Sequence, residues 1–392
     1  MRGIRIGRVF GIPIQLNLTF LLVLPLFAWL IGSDVGQLVE VLNQFARAPI
    51  DAAPLTEGSM QWILGTAAAL GLFVCVLLHE FGHSLVAMRY GYEIESITLW
   101  LLGGVASFVE MPEDWKQEFV IALAGPLVSV AVGALSLVGF LALPASQGPV
   151  KFVLGYLALT NVMLAAFNML PGFPMDGGRV LRALLARTRS HARATQLAAE
   201  VGKAFAFLLG IVGLFTFQLL LVALAFFIYM GASSEAQQTV MKAAFEDVTV
   251  RDIMTDRDRL DVVDVRTSVA ELLDRMFRER HTGYPVLKNG HLAGMVTLND
   301  ARSVNEVERD AYLVGDVMSD ELTTIGPDAG AMDAITVMQA NGVGRLPVVD
   351  ESGELVGLIS RSDLVTALNI IQSRGSLPAV RRGDQTEVVD PR

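Results

Sequence analysis

Residues 63–78 form sixteen consecutive uncharged, mostly apolar positions, and they run directly into His79-Glu80-Phe81-Gly82-His83. A helix entering near Gln61, rising ~1.5 Å per residue, reaches the middle of a bilayer or beyond before it meets that motif. The run therefore restricts the chain to folds in which this helix is enclosed by lipid and protein. Ionisable groups at such depth are costly, and those that persist there are functional. Two histidines at i and i+4 lie on one helical face, one turn apart. Such a pair can hold zinc, and the glutamate between them can accept a proton from an attacking water. In a soluble metalloprotease the same helix would be amphipathic.

Composition agrees with a membrane protein. The 392 residues are 53% hydrophobic, with a mean hydropathy of +0.50, too apolar for an ordinary soluble enzyme. The charge is unevenly placed. Residues 1–231 hold 13 Lys/Arg and 13 Asp/Glu, whereas residues 232–392 hold 17 and 27 and carry the whole net charge of −10. A membrane half (1–231), a linker (232–246) and an acidic soluble half follow from this. Acidity of that size favours solubility and argues against direct nucleic-acid binding. The single cysteine, Cys75, excludes an intramolecular disulfide and a cysteine-rich metal site. The first apolar segment has no small-x-small cleavage site and reads as a retained span.

Hydropathy predicts about six spans: 15–33, 62–86, 118–142, 151–175, and two short helices dividing 199–231. One helix over those last 33 residues would be ~50 Å long, too long for a ~30 Å core, so a break is expected near Phe215–Phe217. Lys/Arg placement orients the spans. Arg2, Arg5, Arg8, Arg89, Lys116, Arg179, Arg182, Arg187, Arg189 and Arg193 fall on one side, and only Arg47 and Lys151 on the other. That bias puts both termini and the acidic half in the cytoplasm. Residues 96–109 are apolar but too short to span. Alternating Ile97, Leu99 and Leu101, with a turn at Gly103-Gly104, suggest a β-hairpin dipping into the protein; an interfacial helix or loop is the alternative.

A second cluster closes span four: Asn168-Met-Leu-Pro171-Gly-Phe-Pro174-Met-Asp176-Gly177-Gly178. Two prolines and three glycines should unwind the helix there, leaving Asp176 on irregular backbone near the membrane. Catalytic zinc needs a third protein ligand and an open fourth position. Asp176 is the best candidate, with Glu110, Glu113 and Asp114 as rivals. His191, His281 and His291 read as solvent-facing.

This combination of H-E-F-G-H, A-G-P at Ala124-Gly125-Pro126 and N-M-L-P-G-F-P-M-D-G closely resembles the site-2 protease family of intramembrane zinc metalloproteases, over roughly 60–231. The resemblance implies one zinc on His79, His83 and Asp176, with Glu80 as the catalytic base. It implies a substrate-backbone role for Asn168, and a re-entrant sheet at Leu102-Gly103-Gly104-Val105 whose edge receives an unfolded substrate. Gly103 and Gly104 are then substrate-binding positions. A transmembrane protein substrate is implied; a membrane-anchored transcription regulator or anti-sigma factor fits the family, and nothing in the sequence selects one. No insertion is large enough for a PDZ domain.

The acidic half repeats itself at a shift of 62–64 residues. Val250-Arg-Asp-Ile-Met254 matches Val314-Gly-Asp-Val-Met318, Tyr284-Pro285-Val286 matches Leu346-Pro347-Val348, and residues 292–300 match 355–363. Units of about 60 residues are small to bury a core alone, so the two should pack together as a soluble α/β pair, 247–307 with 308–372. The pattern resembles a tandem of cystathionine-β-synthase (CBS) repeats. That resemblance implies adenine-nucleotide binding (AMP, ATP or another adenosyl ligand) at Thr297 with Asp300 and at Ser360 with Asp363, and a homodimer through the repeats. The alternative for each Thr/Ser-x-x-Asp element is a helix N-cap. Residues 373–392 read as a disordered tail.

The resemblance implies peptide-bond hydrolysis inside the membrane; the adjacency of the repeats in the same chain suggests gating by nucleotide. The rival class is a CBS-regulated cation transporter or channel in which His79, Glu80, His83 and Asp176 line an ion pathway. A pore has no special need for Glu80, which favours the protease.

Overall fold

The structure is a computed structural model. It describes residues 3–46, 50–100, 103–108, 112 and 114–375, and the chain divides into two compact units at Gln238/Thr239. The first unit opens on a hairpin, β1 (Ile4–Val9) and β2 (Ile12–Leu16). Its two loop residues, Phe10 and Gly11, both have positive φ, the geometry that matches strand twist in a two-residue hairpin loop. Strand β2 runs parallel to β3 (Ile94–Trp100), which pairs antiparallel with β4 (Gly103–Phe108). The result is one four-stranded sheet in the order β1-β2-β3-β4.

The expected hairpin is therefore present as β3–β4, and the N-terminal hairpin extends it. Gly103 and Gly104 do not form its turn; they open β4, with Gly103 paired to Trp100. Leu102 lies outside the described residues.

Helices fill the rest of this unit. α1 (Leu18–Ser33) is capped by Asn17, whose side chain accepts from Thr19 N at 3.0 Å. It bends by 69° into α2 (Val35–Ala46), and a single turn, α3 (Ala53–Thr56), precedes α4 (Met60–Arg89). α5 (Trp115–Ala142) starts at Asp114, whose carboxylate caps Lys116 N. α6 (Gly148–Asn168) ends where the prolines and glycines begin, and α7 (Asp176–Ala186) restarts at Asp176. α8 (His191–Phe215) and α9 (Leu219–Ala244) are separate helices. Between them Phe217 takes positive φ while Gln218 N donates to Gly213 O, a left-handed helix stop without the usual glycine.

Among the described residues, five helices are long and apolar enough to cross a membrane, and the bent α1–α2 pair would make six. Their largest shared core gathers Leu42, Leu64, Ala68, Phe140, Phe152 and Tyr156 from α2, α4, α5 and α6. The stretch 232–246, expected as a linker, consists mostly of the last turns of α9.

The second unit contains α10 (Val250–Ile253), β5 (Thr255–Asp256), β6 (Val263–Asp264), α11 (Val269–Glu279), β7 (Gly283–Lys288), β8 (His291–Thr297) and α12 (Leu298–Arg302). The second repeat follows as α13 (Val314–Val317), α14 (Ala331–Ala340), β9 (Arg345–Val349), β10 (Leu355–Ser360) and α15 (Arg361–Gly375). One sheet is β6-β7-β8 and the other β5-β10-β9. The repeats thus exchange their leading segments. Thr255 pairs with Leu358 of the second repeat, and Ser319 bridges to Met295 of the first. The repeated methionine and glycine explain each other: a Cβ on Gly294 would lie 2.6 Å from Met318 Sδ, and one on Gly357 would lie 2.7 Å from Met254 Sδ. Each repeat buries its own core, around Leu272, Tyr284 and Val296 in one and Met338, Leu346 and Ile359 in the other.

Candidate metal centre and active site

His79 and His83 lie four residues apart on the buried face of α4. The unwound turn after α6 delivers Asp176 to them at the first residue of α7. Asp176 Oδ2 is 3.0 Å from His79 Nε2 and 3.2 Å from His83 Nε2, and the two Nε2 atoms are 3.2 Å apart. All three residues are buried.

The remaining ring nitrogens are held by α5. His83 Nδ1 donates to the Ile121 carbonyl at 2.7 Å, which leaves its Nε2 lone pair facing inward. His79 Nδ1 is 2.8 Å from Ser129 Oγ. Two imidazole nitrogens and a carboxylate oxygen converging in a buried space make an electron-rich set that calls for a cation. Their spacing also suits zinc, because bonds of ~2.0–2.1 Å in a tetrahedron place ligand atoms about 3.3 Å apart. A Cβ on Gly125 of α5 would come within 2.2 Å of His83 Nε2 and 2.7 Å of His79 Nε2, so the absence of a side chain there keeps this space open.

The three groups line a cavity of about 140 Å³ together with Glu80, Gly104, Val105, Ala106, Phe108, Asn168, Pro174 and Arg179. Glu80 is half-buried at its mouth, beneath β4. A Cβ on Gly104 would be 2.6 Å from Glu80 Cγ, so only glycine lets the strand pass this close. Strand β4 is the last in its sheet. Asn168, the last residue of α6, turns its amide back to Leu164 O at 3.0 Å and reaches the cavity. Gly103 is not among the residues lining it.

Of the rival third ligands, Asp114 caps α5, and Glu110 and Glu113 lie outside the described residues. Sequence reasoning missed Ser129, Ile121 and Arg179. Ser129, a hydroxyl in a mostly apolar stretch of α5 three residues past Pro126, carried a readable signal. The Ile121 carbonyl carried none.

In the second unit the four residues expected at nucleotide sites act as caps. Asp300 Oδ2 accepts from Thr297 N and Oγ1, both at 2.7 Å. Asp363 Oδ2 accepts from Ser360 N at 2.8 Å and Oγ at 2.7 Å. Three of them, Thr297, Ser360 and Asp363, nonetheless border open clefts; Asp300 does not. Thr297 lines one of about 530 Å³ with Asn299 and Arg345, and Ser360 and Asp363 line one of about 300 Å³ with Arg259, Arg280 and Arg345. Burial holds the Arg345 guanidinium below its ordinary pKa, and its Nη1 has no hydrogen-bond partner among the described residues.

A buried H-E-x-x-H helix closed by an aspartate from a later helix, beside a sheet edge, defines a metalloprotease of the site-2 type with tandem CBS repeats. The chain belongs to Peptidase family M50, which it matches over residues 67–147 and 144–209, and it matches the CBS domain over 250–305 and 314–370. It is 34% identical to the zinc metalloprotease MJ0392 of Methanocaldococcus jannaschii over 96% of this chain and 98% of that one. Among solved structures, the site-2 protease from Methanocaldococcus jannaschii is 34% identical, covering 60% of this chain and 95% of that one with a TM-score of 0.42. CBSX2 in complex with AMP is 31% identical over 32% of this chain and 98% of that one, with a TM-score of 0.29. Membership of a zinc metalloprotease family implies zinc and sets the transporter or channel alternative aside.

Proposed function

We propose that this multi-pass membrane protein hydrolyses a peptide bond within or near a transmembrane segment of a membrane-anchored protein. The observation that carries the reading is the convergence of His79 Nε2, His83 Nε2 and Asp176 Oδ2 within 3.2 Å of one another in a cavity that also holds Glu80. In this reading those three residues hold one zinc, which when bound polarises the scissile carbonyl and acidifies the attacking water. Glu80 accepts the proton of that water and later returns a proton to the leaving amine. Ser129 and the Ile121 carbonyl fix the imidazole orientations.

A transmembrane helix satisfies its backbone hydrogen bonds internally and must unwind before cleavage. Strand β4, as an edge, offers free backbone groups to the unwound segment beside Glu80. Gly104 permits that approach, and in this reading Asn168, which lines the same cavity, binds the substrate backbone. The Lys/Arg bias favours a cytoplasmic location for both termini and the CBS repeats. The clefts at Thr297 and at Ser360–Asp363 support adenine-nucleotide binding as the gating signal, with Arg345 bordering both.

The test compares wild type with Glu80→Gln on a single-span substrate in detergent, with zinc content measured. About one zinc per chain in both, and cleavage by wild type alone, is the expected outcome. Zinc-loaded Glu80→Gln that still cleaves removes Glu80 from the reaction. A metal-free wild type removes the metal assignment.

A further inference from the structure

Arg182 is one of the most deeply enclosed charges in the chain, 3% exposed, although it sits in a segment whose other arginines read as a cytoplasmic cluster. It lies on α7, six residues after Asp176. Its guanidinium donates from Nε to Glu118 Oε1 on α5 and from Nη1 to Glu235 Oε1 on α9, the latter at 2.7 Å. It also stacks over the Phe173 ring at 5.0 Å. Glu118 Oε2 is buried with no hydrogen-bond partner among the described residues. Two carboxylates from different helices thus compete for one cation, which confines the guanidinium along both directions.

The placement of these partners matters more than their number. Glu118 stands one turn before Ile121, the residue whose carbonyl holds His83, and three turns before Ser129, which faces His79. Phe173 is part of the turn that delivers Asp176 and packs with Ala198, Ala199 and Ala232, the last on α9. Arg182 therefore grips the chain on both sides of Asp176 and ties it to the helix that orients both imidazoles. Among the described residues, no hydrogen bond to Asp176 other than those from the two histidines fixes its carboxylate.

We infer that Arg182 is a positioning residue for Asp176, and that Glu235 makes α9 part of the scaffold of the metal site. The inference rests on Asp176 being a zinc ligand. The Arg182–Glu118 pair sets the distance between the carboxylate and the imidazoles. The Arg182–Glu235 pair fixes α7 against α9.

The test uses the full-length chain in detergent and measures zinc dissociation constants by competition with a chromophoric chelator, alongside melting temperature, kcat and KM. Arg182→Met and Glu235→Gln are expected to weaken zinc binding about 10- to 100-fold, the range seen when supporting partners of a ligand are removed. They lower kcat at saturating zinc with KM little changed, and Arg182→Lys recovers part of the loss. Lys151→Met is the matched control. Lys151 is 5% exposed, donates to Leu143 O and covers the Phe140 ring, far along the chain from the metal ligands. It should lower the melting temperature without moving zinc affinity.

If Arg182→Met does not fold, Glu235→Gln, which keeps shape and loses only charge, decides alone. Wild-type zinc affinity in Glu235→Gln and Arg182→Met, with only the melting temperature reduced as in Lys151→Met, overturns the inference. Asp176→Asn separates the two readings. If it binds zinc as tightly as wild type, the ligand assignment itself has failed, whatever Arg182 does.

Discussion

Gly104→Ala adds one methyl group where strand β4 passes against Glu80. That methyl would lie 2.6 Å from Glu80 Cγ, 3.3 Å from Glu80 Cδ and 3.3 Å from Val76 Cγ1, where ordinary contacts begin at 3.4 Å. The deficit of about 1 Å must be absorbed by the Glu80 side chain or by strand β4, and misplacement on that scale costs about 100-fold in rate. Either movement separates the base from the edge on which the substrate is proposed to lie. The fold should tolerate the change, since overpacking at one edge position costs about 1–3 kcal/mol. The metal ligands are on other side chains. Cleavage of a single-span substrate should therefore fall about 100-fold in kcat, while zinc content stays at one per chain. Full activity in Gly104→Ala, with zinc and melting temperature unaltered, would refute the reasoning, because it would mean that β4 does not lie on Glu80.

Three further outcomes are expected. Ser129→Ala removes the partner of His79 Nδ1 and should weaken zinc binding 10- to 100-fold by chelator competition. Asp363→Ala removes the cap on Ser360 N and Oγ and should cost the second unit about 1 kcal/mol in denaturant unfolding, leaving zinc affinity unchanged. The last concerns pH. Partial burial opposes ionisation of Glu279, but hydrogen bonds from Arg275 and Tyr284 outweigh it and hold its carboxyl below the ordinary range. A depressed carboxyl stabilises the fold above its unfolded pKa of about 4.3, and that contribution disappears as pH falls through the folded value. The stability difference between wild type and Glu279→Gln, read from hydrogen exchange in α11, should therefore be present at pH 7 and shrink in acid. A difference independent of pH would refute the pairing.

The candidate metal site was legible because its geometry is local. H-E-x-x-H sets two imidazoles on one helical face with a carboxylate beside them, and the proline–glycine segment announces that Asp176 leaves the helix. The break after Phe215 was also legible, from helix length against bilayer thickness. What the sequence hid depends on contacts between distant positions. Strand β2 pairs Ile14 with Ile97, 83 positions away; Ile12, Ile14 and Leu16 alternate as a strand would, but nothing local names that partner. Arg182 reads as one more loop arginine until carboxylates 64 and 53 positions away enclose it. The Thr/Ser-x-x-Asp elements were ambiguous for a different reason. The same atoms that would meet a ribose also satisfy a helix start.

The exchange of leading segments between the CBS repeats bears on how the module can be divided. Among the described residues, Thr255–Asp256 pairs with the second repeat and Ser319 bridges to the first. A cut between the repeats would leave each half with an unpaired sheet edge and an uncovered methionine. The two halves should therefore melt in one transition, and a core lesion in either should raise hydrogen exchange in both. A stop codon within the second repeat would then unfold the first as well, rather than leave a half-module behind.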